Sequence, residues 1–260
     1  MLGLPDAAEC FQKADITCLI YDPRSTGLSD GLPRNDIDPV KQVEDTSDAL
    51  TFLSDLSSVD SSKVGVWGMS FGAVVSFCAA AVDKRAKFAI AVCPMTDFEY
   101  TPEKRALVLG KCIKDRESQL LGNPPFYLPM VTKKGENPVG FGYSPNKTKY
   151  AKLVKLGKEI APNHVNRTTL QTYYKMFMWQ PFSLWRHLAP TPTMMIVPEL
   201  DTLSPAEKQI QQFDSLPGPK KLHVQPALDH EEILTGGHLH TLMQLQVGFV
   251  NDALEGRLVL

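Results

Sequence analysis

The sequence predicts an α/β protein: a mostly parallel sheet with helices on both faces. Three observations carry this reading. Short apolar runs such as Val64-Gly65-Val66-Trp67, Phe88-Ala-Ile-Ala-Val92 and Thr193-Met-Met-Ile-Val197 read as strands buried on both faces, which need no polar alternation. Between them lie segments with apolar residues three and four apart, the spacing of a helix face. Strands that alternate with helices run parallel, because each helix carries the chain back along the sheet.

In chain order, Leu4, Ala7, Ala8 and Phe11 mark a helix over residues 2–13, starting almost at residue 1. Ile16 to Tyr21 reads as a strand. Asp22 to Gly31 is a loop rich in turn formers. At its start, Asp22 and Arg24 read as an ion pair bracing the loop, with a catalytic role as the alternative. Apolar positions from Val40 to Leu56 give a helix. The strand Val64 to Trp67, a buried Ala/Val/Phe helix ending near Val82, and the strand Phe88 to Val92 complete the first part of the core, residues 1–94.

Residues 95–188 break the rhythm and read as a helical lid inserted into the core. Strands stop, and Pro, Gly and aromatic residues cluster around 122–142. Helical patterns follow near Lys149 to Ile160 and Thr168 to Met178. The second half is apolar: Tyr173, Tyr174, Met176, Phe177, Met178, Trp179, Phe182 and Trp185. Such density first of all suits packing onto the core, and it is also what a cover for an apolar acyl pocket shows. On the pocket reading, Met69, Tyr174, Met178 and Trp179 contact substrate. The core resumes over 189–260 with the strand Thr193 to Val197, a helix opened by Ser204-Pro205, a strand Lys221 to Gln225 and a closing helix Gly237 to Leu254.

Composition narrows the function. The 260 residues, 43% hydrophobic, are enough for one well-filled domain with an insertion. A net charge of −2 points to neither nucleic acid nor an anionic membrane surface. No apolar run approaches the roughly 18 residues of a spanning helix. The opening MLGLPDAAECF lacks the basic start and long apolar core of a signal peptide. Five scattered cysteines without C-x-x-C spacing read as reduced, mostly buried thiols of a cytoplasmic protein. The sequons at Asn146 and Asn166 then read as chance. No cluster has metal-ligand spacing and no dinucleotide fingerprint is present, so neither metal nor cofactor is expected.

The chemistry concentrates at Gly68-Met69-Ser70-Phe71-Gly72, a G-x-S-x-G between a strand and a helix. A strand that becomes a helix within three residues strains the turn residue and exposes its side chain. Glycines let strand and helix approach. Ser70 is therefore the candidate nucleophile. The Phe71 N–H, at the positive end of the helix, is the candidate oxyanion donor. A serine hydroxyl needs a neutral imidazole to take its proton and a carboxylate to hold that imidazole's tautomer. Ligands sit beyond the carboxyl ends of parallel strands. His230 follows the last strand there, whereas His164 and His187 lie in the insertion, His223 inside a strand, and His238 and His240 in the closing helix. Asp201, after the strand at 193–197, is the leading acid. Glu199 shares its loop, Asp97 follows the preceding strand, and Asp229 is too close to His230 to orient it. The order Ser…Asp…His is that of the α/β-hydrolase fold.

Several stretches carry a family resemblance: YDPRSTGLSDGLPRNDIDPVKQVED, KVGVWGMSFGA, KDRESQLLGNPPFYLPM with KGENPVGFG, YYKMFMWQPF, and PELDTLSPAEKQ. Through these, over nearly the whole length, the chain resembles the fungal polyketide-cluster α/β-hydrolases, the polyketide transferase family. The resemblance implies a cytosolic serine hydrolase of secondary metabolism. Such an enzyme takes a polyketide acyl group from a carrier-protein thioester and passes it to water or an alcohol. The family's triad falls on Ser70, Asp201 and His230. Members also carry, before the first helix, a β-hairpin and a strand ending in His-Gly that supplies a second oxyanion N–H. This sequence lacks that segment and reads as shortened at its start, or as a remnant. By the resemblance the lacking strand lies between Ile16–Tyr21 and Val64–Trp67. A generic carboxylesterase is the nearest alternative function, and a non-catalytic acyl-binding remnant is the alternative from another class.

Overall fold

The computed structural model describes residues 3–98, 100–140, 147–161 and 163–258. In chain order the elements are α1 (Leu4–Gln12), α2 (Pro39–Ser54), β1 (Val66–Met69), α3 (Phe71–Val82), β2 (Ala89–Val92), α4 (Pro102–Leu120), β3 (Tyr127–Leu128), α5 (Lys147–Ile160), β4 (Thr168–Thr169), α6 (Leu170–Met178), α7 (Pro181–Trp185), β5 (Thr193–Pro198), α8 (Ala206–Asp214), β6 (Lys220–Gln225) and α9 (Leu239–Leu254). Among the described residues no helix is long and apolar enough to cross a membrane.

The main sheet has the order β1-β2-β5-β6, and every pairing is parallel. Its two central strands, AIAV and TMMIVP, are buried at every position, which is why they carry no polar alternation. Successive side chains leave opposite faces. On one face Ile90, Val92, Met194 and Ile196 join Ala7 and Phe11 of α1 and Leu242, Met243, Phe249 and Val250 of α9 in a single apolar cluster. Trp67 leans on the same cluster, and its Nε1–H donates to Gln246 Oε1 of α9 at 2.7 Å. Against β1 and β2 lies α3, buried continuously from Ala73 to Ala81. Small Ala and Val side chains let this helix run close to the strands. Its Phe77 meets Trp185 of α7 edge-to-face, with centroids 5.1 Å apart.

The chain divides into two units. One comprises Met1–Ile20, Val43–Thr96 and Gln180–Leu260, the other Tyr21–Gln42 and Asp97–Trp179. Apart from a start two residues later, these bounds differ from a simple 95–188 insertion in the added 21–42 segment and in an end at 179, and both have local causes. Residues around 35–37 join the second unit through hydrogen bonds to β4 and α6. Thr169 N–H and Thr168 Oγ1 donate to Asn35 O, Ile37 N–H donates to Thr172 Oγ1, and Asp36 accepts from Thr169 and Lys175. Residues 181–185 belong with the core because Trp185, only 1% exposed, packs on Phe77.

Four further expectations are corrected. Ile16 to Tyr21 forms no strand: β1 ends the sheet among the described residues, and a strand with no ladder partner has nothing to hold it extended. Strands do not stop after β2, since β3 and β4 pair antiparallel and Thr168–Thr169 is strand rather than helix. The 19-residue α4 stands where the sequence pattern marks no helix. Its N-terminal signal is present, with Thr101 capping the Lys104 N–H and Pro102 in the first turn. Its inward face, however, is only Val108, Cys112 and Asp115, while Leu107 and Ile113 are exposed, so no apolar stripe marks it. Pro205 is the residue that caps α8, not its first helical position. Met1 and Leu2, and the sequon at Asn146 with Phe141 and Gly142 of KGENPVGFG, lie outside the described residues.

Asp115 organises the second unit from a buried position. Its carboxylate accepts from the Phe126 N–H ahead of β3, from Gln119 one turn on, and from Gln171 of α6. In the core, replacing Trp185 by Ala should cost about 3–5 kcal/mol of stability, the range for emptying a large aromatic site. The denaturant midpoint measured by circular dichroism checks this.

Candidate active site

The site begins with backbone geometry. Ser70 directly follows β1 and caps α3 at φ 55°, ψ −121°, a conformation that costs strain outside glycine. Hydrogen bonds over-determine it: Ser70 N–H donates to Val92 O at 2.9 Å, and Ser70 O accepts from Ala73 and Met95, both at 3.2 Å. Gly68 permits the turn sterically. A Cβ there would sit 2.2 Å from Gly72 O and 2.6 Å from Ser76 Oγ, so only hydrogen fits. At Gly72 a Cβ would meet nothing within 4 Å, so that glycine answers no steric need in the described structure.

His230 and Asp201 arrive on the loops after β6 and β5. Those loops are tied together by Glu199 N–H to Gln225 O, Leu200 N–H to Leu228 O, and Ala227 N–H to Glu199 Oε2, each at 2.9 Å. His230 Nε2 lies 2.8 Å from Ser70 Oγ, and His230 Nδ1 lies 2.7 Å from Asp201 Oδ2. A carboxylate can only accept, so Nδ1 carries the proton and Nε2 is left to accept from the Ser70 hydroxyl. His230 and Asp201 are both buried.

The rival groups are engaged elsewhere. Glu199 holds the Ala227 N–H, Asp229 accepts from the Glu231 and Glu232 N–H groups of its own turn, and His223 pairs with Gln225. His187 accepts from Arg186 at the exposed end of α7, and Asp97 and His164 belong to the second unit, where burial holds the His164 imidazole below its ordinary pKa. Asp22 stabilises its own loop, accepting from the Leu28 N–H while its carbonyl accepts from Ser29.

Asp201 has an unusually full set of donors. Oδ1 accepts from the Leu203 and Ser204 N–H groups at 2.9 and 2.8 Å, and Oδ2 from Gln209 Nε2 at 2.9 Å as well as from His230. Ser204, wholly buried, donates to Pro94 O and accepts from the Thr96 N–H, tying this loop to the one after β2.

Two neighbours carry no readable signal in the sequence. Gln209 is one. Cys93 is the other: its Sγ lies 3.8 Å from His230 Nε2, its backbone sits at φ 39°, and burial pushes its thiol pKa well above the ordinary value. All five cysteines are free, with Cys18 exposed rather than buried.

The residues expected around the substrate separate in character. Phe71 opens α3, and Met69 ends β1 half-buried against the apolar cluster. In the second unit the Arg116 guanidinium lies over the Tyr174 ring, Met178 is exposed at the end of α6, and Trp179 is buried edge-on against Phe98.

Residues 16–230 match the X-Pro dipeptidyl-peptidase (S15) family. A thiohydrolase of Eupenicillium brefeldianum is 49% identical over 245 residues, covering 94% of this chain and 80% of that protein. A polyketide transferase of Stachybotrys chlorohalonatus is 43% identical over 252 residues, 97% of this chain and 84% of the relative. The crystal structure of the α/β hydrolase GrgF from Penicillium sp. sh18 superposes with a TM-score of 0.86 at 37% identity, covering 97% and 85% of the two chains.

Gly68→Ala should lose on the order of 1–3 kcal/mol through the forced clash. Gly72→Ala should be neutral or gain up to about 1 kcal/mol from helix propensity. Urea unfolding of the two variants side by side reads the difference.

Proposed function

We infer the activity from the site and one premise: the chain belongs to the α/β-hydrolases of the X-Pro dipeptidyl-peptidase (S15) family and, among them, to the fungal polyketide transferases and thiohydrolases. The relatives at 43–49% identity are named for acyl chemistry, so the reading follows them rather than the peptidase name. The protein is a secondary-metabolism enzyme acting on ester or thioester bonds. It cleaves a polyketide acyl (thio)ester and hands the acyl group to water or an alcohol.

What carries this reading is the continuous chain Ser70 Oγ–His230 Nε2 at 2.8 Å and His230 Nδ1–Asp201 Oδ2 at 2.7 Å. In the proposed reaction Ser70 Oγ attacks the acyl carbonyl as His230 Nε2 takes its proton. Asp201 keeps the imidazole in the right tautomer and offsets the charge of the imidazolium. The tetrahedral oxyanion forms beside the Phe71 N–H, at the positive end of the α3 dipole. Collapse breaks the C–S or C–O bond, and His230 returns the proton to the leaving thiol or alcohol. The acyl-serine is then opened by water or an alcohol that His230 deprotonates.

Met69, Tyr174, Met178 and Trp179 are the proposed acyl contacts. The exposed Met178 offers a pliable thioether surface to a ligand, whereas Trp179 is held in place by its packing on Phe98. Five free cysteines fit a reducing, cytoplasmic compartment.

A carrier protein is the proposed donor of the acyl group. Support comes from charge: residues 97–179 hold fourteen Lys and Arg against seven Asp and Glu, while the rest of the chain holds thirteen against twenty-two. On one flank of α4, Lys104, Lys111 and Lys114 are exposed around exposed Leu107. An acidic carrier domain would be drawn to such a surface.

Two experiments test these statements. A fluorophosphonate should label the parent, and the signal should vanish in Ser70→Ala. Folded parent protein that never labels would exclude the enzyme reading and favour an acyl-binding role. Turnover of acyl thioesters well above that of simple esters would set the enzyme apart from a generic carboxylesterase. For the carrier, Lys104→Glu/Lys111→Glu/Lys114→Glu should lower kcat/KM on an octanoyl-loaded polyketide synthase carrier domain by about tenfold or more. The same variant should leave octanoyl-N-acetylcysteamine turnover unchanged. Equal losses on both substrates would discard the docking surface.

A further inference from the structure

We infer that Gln209 is a positioning residue for the proposed reaction, fixing from α8 the carboxylate that orients His230. The inference rests on the Ser70–His230–Asp201 reading above. Gln209 is wholly buried in the first turn of α8. Its Nε2 donates to Asp201 Oδ2 at 2.9 Å and also to Ser204 O. Both neighbours are acceptors, so only the amino end of the amide can face them, and the two protons are both used.

Asp201 Oδ2 is the oxygen that receives His230 Nδ1–H at 2.7 Å. The other oxygen is pinned by two backbone N–H groups from its own loop. The terminal torsion of an aspartate is broad, so a carboxylate tied at one oxygen can swing about that tie. Gln209 supplies the second tie, at the oxygen where the imidazole's tilt is set. It does so from a different element, so it also fixes the loop after β5 to the body of α8.

This arrangement works against stability, which is the second observation. Gln209 Oε1 is buried and has no hydrogen-bond partner among the described residues. An unmet acceptor in the interior is unfavourable, and an apolar side chain of similar volume would avoid it. Packing alone therefore does not call for an amide at this position, whereas the Asp201 carboxylate does.

The test compares Gln209→Met and Gln209→Glu with the parent, using octanoyl-N-acetylcysteamine as substrate. Methionine keeps the volume and removes the donor. Glutamate keeps the shape and sets a second carboxyl against Asp201, where two buried carboxylates disfavour joint ionisation. The expected result is a kcat lowered about ten- to a hundredfold in the Met variant, further in the Glu variant, with KM within about twofold of the parent. The thermal midpoint of the Met variant should stay within a few degrees of the parent. Parental kcat in the Met variant overturns the inference. So does a loss of kcat that only tracks a loss of folded protein in both variants. If the Met variant fails to fold, the isosteric Glu variant carries the comparison alone. A parent without Ser70-dependent turnover overturns the underlying reading instead, and that result is seen before any Gln209 variant is assayed.

Discussion

Three backbone hydrogen bonds just beyond the sheet hold the loops of the site in place. Ser70 N–H reaches Val92 O, Cys93 N–H reaches Ile196 O, and Glu199 N–H reaches Gln225 O. They extend the parallel ladder by one rung at each junction of β1, β2, β5 and β6, after the strands themselves have ended. Parallel pairing puts the carboxyl ends of all four strands along one edge, and these rungs stop the loops from diverging there. The hydrogen-bond chain from Ser70 through His230 to Asp201 is a consequence of that alignment. Loops rooted in unaligned strand ends would not set His230, 160 residues from Ser70 in sequence, at 2.8 Å from Ser70 and 2.7 Å from Asp201.

The positive φ at Ser70 and at Cys93 is part of the same constraint. Each residue leaves a strand at a sharp angle, and each pays in backbone strain for the direction it takes. The ladder bonds on either side, together with the apolar cluster of α1, α9 and the two central strands, supply the rigidity that maintains it. Asp201 shows the polar counterpart. A carboxylate taken out of water needs donors, and four are present on two oxygens. Ser204 then extends that network to the loop after β2 through Pro94 and Thr96.

The second unit is held by different means. Beside buried apolar side chains such as Leu170, Tyr173 and Met176 it has a buried carboxylate, Asp115, and its link to residues 35–37 runs through threonines, Asp36 and Lys175. Several large apolar side chains lie at its surface, among them Leu107, Ile113, Leu120 and Leu121 on and after α4. The sequence of α4 carries a correspondingly weak helical signal. A helix that buries two apolar side chains and an aspartate has little periodicity to read.

The sequence by itself determined the class of fold, the turn at Ser70 and four strands, expected at 64–67, 88–92, 193–197 and 221–225 and found at 66–69, 89–92, 193–198 and 220–225. Each rests on local chemistry: apolar runs for strands buried on both faces, and Gly68 where a side chain would strike Gly72. It also picked out Asp201 and His230, because each follows a strand at the end where ligands of parallel sheets collect. Tertiary structure alone decided that these two meet Ser70, that residues 21–42 go with the second unit, and that Ile16–Tyr21 is not a strand. It alone revealed Gln209 behind Asp201 and Cys93 beside His230. The physical reason is common to all of these. A strand exists only by virtue of its neighbour, and a buried amide or thiol is defined by what faces it, so neither leaves a mark in the order of the residues around it.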